Sequence, residues 1–195
     1  MVERRLTTPL NEAQVRELRV GETVFLDGPV IGIRDATLIR IFDHGQAPPI
    51  DLRGAVCLHT APNVRKVGDR YQPVCIGTTT SMRMDRFTEG LLGQYGARAI
   101  IGKGGLSAKS LEAMQRHGGC YLAITGGAAA LETTQIEAIE GVWWEDLMPE
   151  CLWHFRVRGL GPLIVAMDAH GGNLYADVQA EAEHRLANML AKQAC

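Results

Sequence analysis

The sequence predicts an α/β protein in which parallel strands are each followed by a loop and a helix. Three short apolar runs in the middle of the chain have the composition of buried strands, and a helix-forming segment follows each one. Loops rich in glycine or threonine join each strand to its helix. The 22 glycines border these short apolar runs, which is typical of compact turns and not of a linker.

The composition is that of an ordinary globular protein and excludes several other classes. Apolar residues make up 46% and charged residues 22% of the 195 residues, so disorder is not expected. At roughly 150 residues per domain, the length predicts a single domain over residues 1–195. No apolar run approaches the roughly 20 residues of a membrane span. Twenty basic against 22 acidic side chains give a net charge of −2, which provides no overall field to attract nucleic acid or an anionic membrane.

The five cysteines form no metal-binding pattern. They are Cys57, Cys75, Cys120, Cys151 and Cys195, and no two have the short spacing of a zinc or iron–sulfur site. Those at positions 57 and 75 lie in apolar runs, where a thiol behaves as a small apolar side chain. Because the chain starts without an export signal, the sequence predicts a protein of the reducing cytoplasm with no disulfide framework and no metal centre of its own.

The first 75 residues predict two helices, three short strands and a hairpin. Asn11 is an N-cap with Glu12 in the first turn, and Asp35 can cap a second helix that stops at Gly45. The predicted segments are helices over 11–19 and 35–44, strands over 23–26, 30–33 and 55–59, and a hairpin over 64–74. The turn residues at 27–29 predict a hairpin or tight bend between the first two strands.

The rest of the chain predicts three strand–loop–helix units, followed by more strands and a last helix. The units are strand 74–76, loop 77–80 and helix 81–95; strand 99–101, loop 102–105 and helix 107–117; and strand 121–124, loop 125–127 and a helix from residue 128. The final segments are strands over 142–144, 152–157 and 163–168, the last two joined as a hairpin by 159–162, and an amphipathic helix over 177–192 that could present a docking face.

The three loops of these units, including the Gly-Gly loop at 125–127, together predict a binding site for an anion. We call residues 77–80 the threonine loop and residues 102–105 the lysine loop. In an open parallel sheet, ligands bind beyond the carboxyl ends of the strands, where backbone N–H groups and helix N-termini attract negative charge. Lys103 and Arg83 add full positive charges. Arg34 gives an independent indication, because a cation at the start of a helix opposes the macrodipole unless an anion lies beside it.

Each of these residues also has a purely structural interpretation. Thr80 and Ser81 can cap a helix, Lys103 can be a solvated loop lysine, and Arg34 can pair with a nearby acid. Their occurrence at successive strand ends favours a shared ligand site.

Nucleotide and hydrolase motifs are absent. Ala97 replaces the first glycine of a P-loop and Ser107 the last glycine of a Rossmann motif, so a small carboxylate or phosphate fits better than a dinucleotide. No G-x-S-x-G elbow is present. Of the scattered histidines, His59 could line a site at a strand end, whereas His170 is predicted to lie in a turn.

Two paired motifs make the sequence recognisable. The run Gly77-Thr78-Thr79-Thr80-Ser81-Met82-Arg83-Met84-Asp85, followed by Gly102-Lys103-Gly104-Gly105, resembles the beta subunit of class I fumarate hydratases and L(+)-tartrate dehydratases. The resemblance extends from Leu6-Thr7-Thr8-Pro9 through Arg34-Asp35-Ala36 to Gly161-Pro162-Leu163-Ile164-Val165. The chain departs from the family pattern at Thr78, Leu38 and Ile39, where the family commonly has proline, histidine and a basic residue.

The resemblance implies a swivelling β/β/α domain that closes over the active site of an iron–sulfur hydro-lyase. It implies that a partner alpha subunit holds the [4Fe-4S] cluster, in a dimer or an α2β2 assembly. Carried over by position, Thr79 and Lys103 are catalytic, and Arg34, Arg83, Lys103 and Gly104 bind the substrate.

The implied substrate is a 2-hydroxy dicarboxylate, with fumarate and malate first and L-tartrate next. Dehydration builds negative charge on the carboxylate beside the departing proton, and positive side chains stabilise that charge. A threonine base would need nearby cations or a proton relay. Two alternatives stay open: a non-catalytic carboxylate-binding or assembly subunit, which Leu38 and Ile39 motivate, and a stand-alone phosphate-binding enzyme.

Overall fold

A curled seven-stranded sheet forms the centre of the protein in the computed structural model, which describes residues 2–125 and 129–193. The strands are β1 (Glu3–Thr7), β2 (Thr23–Ile33), β3 (Val56–His59), β4 (Asn63–Val67), β5 (Arg70–Cys75), β6 (Ala99–Gly102), β7 (Cys120–Ala123), β8 (Ile136–Trp143) and β9 (Leu152–Met167). The α-helices are α1 (Glu12–Arg16), α2 (Asp35–Phe42), α3 (Ala108–His117), α4 (Ala129–Thr133) and α5 (Leu174–Gln193). A 3₁₀ helix (Ser81–Phe87) leads into a π-helix (Gly90–Gln94), and a second short 3₁₀ helix spans Glu145–Leu147.

The sheet has the order β1-β2-β3-β6-β7-β9-β8. Neighbours from β1 to β7 are parallel, whereas β9 runs antiparallel to β7 and β8. Strand β9 also pairs antiparallel with β2, so the strands β2, β3, β6, β7 and β9 close into a ring. The mixed α/β class predicted from the sequence is therefore confirmed.

Strand alternation divides the core into two apolar layers. Val56 and Leu58 of β3 belong to the cluster enclosed by the curled sheet. Cys57 of the same strand belongs to a second cluster, which Leu38 of α2 and Met114 of α3 join from the helical side. Because side chains alternate along a strand, His59 lies on the helical face with Cys57.

Most of the short elements are confirmed, and the starts of the helices follow their local signals. Asn11 accepts a hydrogen bond from the Gln14 backbone N–H while the Gln14 side chain accepts one from Asn11, which is a complete capping box. Helix α2, strand β3, the hairpin of β4 and β5, strand β6, helix α3 and strand β7 all lie where they are predicted.

Two predicted hairpins are wrong. Residues 23–33 form one strand, β2, and residues 152–167 form one strand, β9. The two strands pair from Thr23↔Ile164 to Gly32↔Trp153, with register shifts beside Leu26. Glycine and proline at 27–29 and 159–162 favour turns locally, but pairing along the whole length of the partner strand keeps both segments extended.

The first of the three predicted strand–loop–helix units is also wrong. Strand β5 pairs only with β4, in a separate two-stranded sheet. The helical segment after it is 3₁₀ and then π, not a regular α-helix to residue 95. Strand β3 takes the place of the predicted first strand, since it pairs in parallel with β6.

The ends of the chain hold further differences. Strand β1 has no counterpart among the predicted elements, and it extends the sheet by pairing with β2. Helix α5 starts at Leu174, three residues earlier than predicted, and is exposed from Tyr175 through Ala191. The glycines of the predicted 125–127 loop and the predicted helix start at residue 128 lie outside the described residues. Within the described ranges, no helix combines the length and apolar character that a bilayer crossing needs.

Candidate active site

The threonine loop lies between the carboxyl ends of β3 and β6. Thr60 and Thr78 pair in antiparallel fashion, and the Thr79 backbone N–H donates to the His59 carbonyl at 2.8 Å. Further along, the Ser81 backbone N–H donates to the Lys103 carbonyl at 3.0 Å. The threonine and lysine loops, two of the three loops predicted to share a ligand, are therefore adjacent, and main-chain hydrogen bonds hold them together.

Asp35 brings the two predicted arginines together. Its Oδ2 lies 3.2 Å from Arg34 Nε and 3.5 Å from Arg83 Nη2. Arg83 Nη2 also donates to Thr79 Oγ1 at 2.9 Å. One guanidinium group thus contacts both the proposed base and the carboxylate that it shares with Arg34.

Arg34 has the acidic partners that its structural interpretation required. Besides Asp35, Glu150 Oε1 lies 3.3 Å from Arg34 Nε, and Glu150 Oε2 accepts the Ala36 backbone N–H at 2.9 Å. These two carboxylates offset the conflict between Arg34 and the dipole of α2. The shortest contact of each ion pair is at Nε, and among the described residues the terminal nitrogens of Arg34 donate no hydrogen bond.

Lys103 and Gly104 lie in the lysine loop beside the threonine loop. The backbone of Lys103 pairs with Thr80, and its side chain is half-buried. Among the described residues, the Lys103 ammonium group forms no ion pair, unlike Arg34 and Arg83. Gly104 is exposed and has a φ of 84°, a left-handed conformation that glycine adopts without strain.

Asp85 anchors the helix that follows the lysine loop, a role that the sequence reasoning missed. Its carboxylate accepts bonds from the Ser107 backbone N–H at 2.8 Å, from Ser107 Oγ at 2.7 Å and from Ser110 Oγ at 2.6 Å. Partial burial raises the pKa of Asp85, but the bonds from Ser110 and Ser107 outweigh it, and the pKa lies below 3.8. The sequence does contain a signal for this role, because Asp85 is the last residue of the motif that begins at Gly77.

The predicted caps of the helix after the threonine loop are absent. Thr80 stands at the N-cap position without a side-chain cap bond. The buried Ser81 hydroxyl instead lies 3.0 Å from His59 Nδ1. His170 lies in a turn, as predicted, and its Nε2 contacts the Arg16 carbonyl at 2.8 Å.

The two departures from the family pattern in α2 are packing residues. Leu38 is fully buried in the helical layer, and Ile39 packs against that layer. Their apolar character therefore has a structural explanation that does not involve the ligand site.

The cysteines that the structure describes do not converge as ligands of an iron–sulfur cluster. Burial raises the pKa of Cys57 and of Cys120 to about 12, so both thiols stay protonated at neutral pH. Burial also raises the pKa of Cys151, to about 11. Within residues 2–125 and 129–193, no three His, Cys, Asp or Glu side chains converge to hold a metal ion.

A buried carboxyl group lies near the threonine loop. Glu132 of α4 is buried, and this burial raises its pKa to about 7. The adjacent Thr133 Oγ1 accepts the Ile76 backbone N–H at 2.8 Å, which ties α4 to the start of the threonine loop. No local sequence signal distinguishes this glutamate from an exposed one.

Comparisons with known proteins place this geometry in a family. The model of the fumarase C-terminus family matches residues 1–178. The chain is 40% identical over 173 residues to L(+)-tartrate dehydratase subunit beta of Escherichia coli K12, covering 88% of this chain and 86% of that protein. A protein of Methanocaldococcus jannaschii, provisionally named L(+)-tartrate dehydratase subunit beta, is 34% identical over 186 residues, covering 93% and 95%. A protein of Geobacillus stearothermophilus, provisionally named fumarate hydratase class I, is 37% identical over 193 residues, covering 95% of this chain and 36% of that protein.

Proposed function

Because the chain belongs to the fumarase C-terminus family, we propose that it is the beta subunit of a hydro-lyase that acts on a 2-hydroxy dicarboxylate. The observation that carries the proposal is the contact of Arg83 with both Thr79 and Asp35, beside Arg34 and next to the lysine loop. The relatives at 40% identity make L(+)-tartrate the first substrate to test, with malate and fumarate second.

The three cations bind the substrate carboxylates in this proposal. Among the described residues, the terminal nitrogens of Arg34 donate no hydrogen bond and Lys103 has no ion-pair partner. A guanidinium group can hold a carboxylate with two parallel hydrogen bonds, whereas an ammonium group acts as a point charge. Gly104, exposed beside Lys103, lets the substrate approach the backbone closely.

Thr79 removes the proton in this proposal. Dehydration breaks the C–H bond beside one carboxylate and the C–O bond on the neighbouring carbon, and a carbon–carbon double bond and water form. The ionised form of the Thr79 hydroxyl is stabilised by the Arg83 guanidinium, which already donates to Thr79 Oγ1 at 2.9 Å. Lys103 then stabilises the charge that develops on the carboxylate beside the departing proton.

A partner alpha subunit completes the site in this proposal. The relatives named subunit beta imply such a partner. We place the [4Fe-4S] cluster on that subunit, because Cys57, Cys120 and Cys151 are protonated at neutral pH and, among the described residues, no three metal-ligating side chains converge. We further propose that residues 1–195 act as one swivelling β/β/α domain that closes over the substrate, in a dimer or an α2β2 assembly.

The test is reconstitution. The chain is co-expressed with an alpha subunit from the same source and purified without oxygen, and the dehydration of L(+)-tartrate and malate is measured. The complex is expected to turn over at least one of the two substrates. No turnover of either, or of fumarate in the reverse direction, would refute the proposal.

A matched pair of arginine variants tests the residue roles. Arg83→Ala is expected to lower kcat/KM by about 100-fold or more, because it removes a contact to the base and a carboxylate-binding group. Arg86→Ala is the control, since Arg86 lies in the same helix but pairs with Asp43 at an exposed position. Equal activity of the two variants would contradict the role of Arg83.

The two other interpretations predict different results. A non-catalytic subunit would bind dicarboxylates without turnover in any complex, but the packing of Leu38 and Ile39 removes the observation that motivated it. A phosphate-binding enzyme would be stabilised against heat by phosphate and not by dicarboxylates.

A further inference from the structure

A buried chain of hydroxyl groups lies directly beneath the two loops. Tyr121 Oη donates to Ser81 Oγ at 3.0 Å, and Ser81 Oγ lies 3.0 Å from His59 Nδ1. All three residues are at most 1% exposed. The chain therefore joins the last residue of β3, the first residue after the threonine loop and a residue in the middle of β7.

The lysine loop packs against the same chain. A Cβ atom on Gly102 would overlap the Ser81 hydroxyl and lie 2.9 Å from Tyr121 Oη. Gly105 is less tightly enclosed, since a Cβ atom there would lie 2.9 Å from the ring of Tyr175, in the first turn of α5. Any shift of the Ser81 hydroxyl would thus move one end of the lysine loop.

We assign one direction to the donors and acceptors of the chain. The Tyr121 hydroxyl donates to Ser81, so the Ser81 hydrogen is available to donate to His59 Nδ1. A neutral imidazole that accepts at Nδ1 carries its own hydrogen on Nε2. Burial lowers the pKa of His59 to about 4, partly opposed by the Asp35 carboxylate, so the ring is neutral at neutral pH.

Packing alone does not explain a histidine at this position. Among the described residues, His59 Nε2 is buried without a hydrogen-bond partner. An apolar side chain of similar size would fill the same space without leaving a buried polar atom unpaired. The imidazole contacts Ser81, directly after the threonine loop, and the backbone carbonyl of His59 accepts the Thr79 N–H of that loop at 2.8 Å.

We propose that His59 is a positioning residue that acts through Ser81 and Tyr121 and holds the threonine and lysine loops in register for the reaction. The side chain orients the Ser81 hydroxyl against Gly102, and the carbonyl holds the backbone of Thr79. Thr79 and Lys103 then face one substrate from adjacent loops. This inference rests on the proposed function for its kinetic part and on the hydrogen-bond chain alone for its spectroscopic part.

The kinetic test uses variants in the reconstituted complex. Ser81→Ala and His59→Leu are expected to lower kcat at least tenfold while KM changes less than threefold. His59→Gln is expected to recover part of the lost kcat, because its amide can again bond to Ser81. Tyr121→Phe removes a single oxygen atom and is expected to give a smaller loss in the same direction.

The control variant is Cys57→Ala, two residues earlier on the same face of β3 and fully buried. It is expected to keep kcat within twofold despite a lower melting temperature. If Ser81→Ala and Tyr121→Phe also keep kcat within twofold, or if all variants lose kcat only in proportion to their loss of folded protein, the proposal is wrong.

A spectroscopic test separates this proposal from the proposed function. In the wild-type chain labelled with ¹⁵N-histidine, the nitrogen shifts of His59 are expected to show the Nε2–H tautomer at pH 7. Ser81→Ala is expected to change that tautomer population. If the reconstituted complex has no activity on either diacid, the spectroscopic result still tests the hydrogen-bond chain. An Nδ1–H tautomer of His59, or a tautomer population that Ser81→Ala leaves unchanged, overturns the proposal.

Discussion

The loop edge of the sheet and helix α5 differ sharply in their surroundings, although both contain segments recognisable from the sequence. At the loop edge, His59, Thr60 and Ser81 are buried and hydrogen-bonded to residues far along the chain. On α5, every residue from Tyr175 to Ala191 is exposed. The two regions meet where Tyr175 packs against Gly105.

This difference predicts at which positions a substitution changes the stability or activity of the protein most. When a buried polar group loses its hydrogen-bond partner, the free energy of unfolding falls by the full desolvation penalty of the group that remains unpaired. An exposed apolar side chain on α5 contacts water in both the folded and the unfolded chain, so removing it changes the free energy of unfolding little. Substitutions at the loop edge are therefore expected to have large effects and those on α5 small ones.

The largest difference is expected for the lysine loop. Lys103→Ala in the reconstituted complex should lower kcat/KM by about 100- to 1000-fold, because it removes a charge that stabilises the transition state. Steady-state kinetics with L(+)-tartrate and malate measure the effect. The exposed Lys109→Ala in α3 serves as the control and should stay within twofold.

Acid is expected to destabilise the protein through the loop edge. Burial lowers the pKa of His59 from 6.5 to about 4, so the unfolded chain binds a proton at a higher pH than the folded one. The contribution of His59 to the free energy of unfolding is constant above pH 6.5 and falls as the pH drops from 6.5 to 4. At pH 5 the loss should be about 2 kcal/mol.

Urea unfolding at pH 7 and pH 5 measures this loss, and His59→Gln should remove it. An equal pH dependence in wild type and His59→Gln would contradict the assignment.

Asp85→Asn should weaken the anchor of α3. The two carboxylate oxygens of Asp85 accept three hydrogen bonds from Ser107 and Ser110. An asparagine has one side-chain oxygen, so it can accept only some of these bonds. The free energy of unfolding should fall by about 2 kcal/mol, or roughly 4–8 °C in Tm. Asp177→Asn on α5 should change it by less than about 0.5 kcal/mol. Comparable losses in the two variants would remove the distinction between the regions.

Glu132→Gln should stabilise the protein at high pH. Because burial raises the pKa of Glu132 from 4.5 to about 7, ionising it in the folded state costs stability as the pH rises from 4.5 to 7. The variant should be more stable than the wild type by about 1 kcal/mol at pH 8, after allowance for partial solvent screening, and no more stable at pH 4. Thermal unfolding of the wild type and the variant at both pH values checks this.

The smallest effect is expected on α5. Leu186 is 56% exposed, so Leu186→Ala should change the free energy of unfolding by less than about 0.5 kcal/mol. Leu122 is fully buried between β6 and β9, and Leu122→Ala should cost about 2–5 kcal/mol. A large loss for Leu186→Ala in the isolated chain would show that α5 is covered in solution.

Local signals predicted much of the fold. The cap at Asn11 and the apolar spacing of α2 and α3 depend on residues within a few positions of each other, so the sequence reveals them directly. The turn residues at 27–29 and 159–162 are as clear locally, yet β2 and β9 run straight through both. Pairing between strands more than 100 residues apart outweighed the local preference.

The same division holds for the candidate site. The two motifs identified Thr79, Arg83, Lys103 and Gly104, and the structure places the two loops side by side. Nothing near Arg34 in the sequence indicates Glu150, which reaches it from the other end of the molecule. Likewise, Ser81 has the pattern of a cap and serves instead in a buried chain with His59.

The sequence by itself determined which residue types stand at the strand ends, how the loops are charged, where most helices begin and which family the motifs resemble. Only the tertiary structure decided the closure of the sheet through β2 and β9, the partners of Arg34 and the role of Ser81. The physical reason is range: caps and helical periodicity arise within one or two turns of chain, whereas pairing, burial and ion pairs depend on residues that only folding brings together.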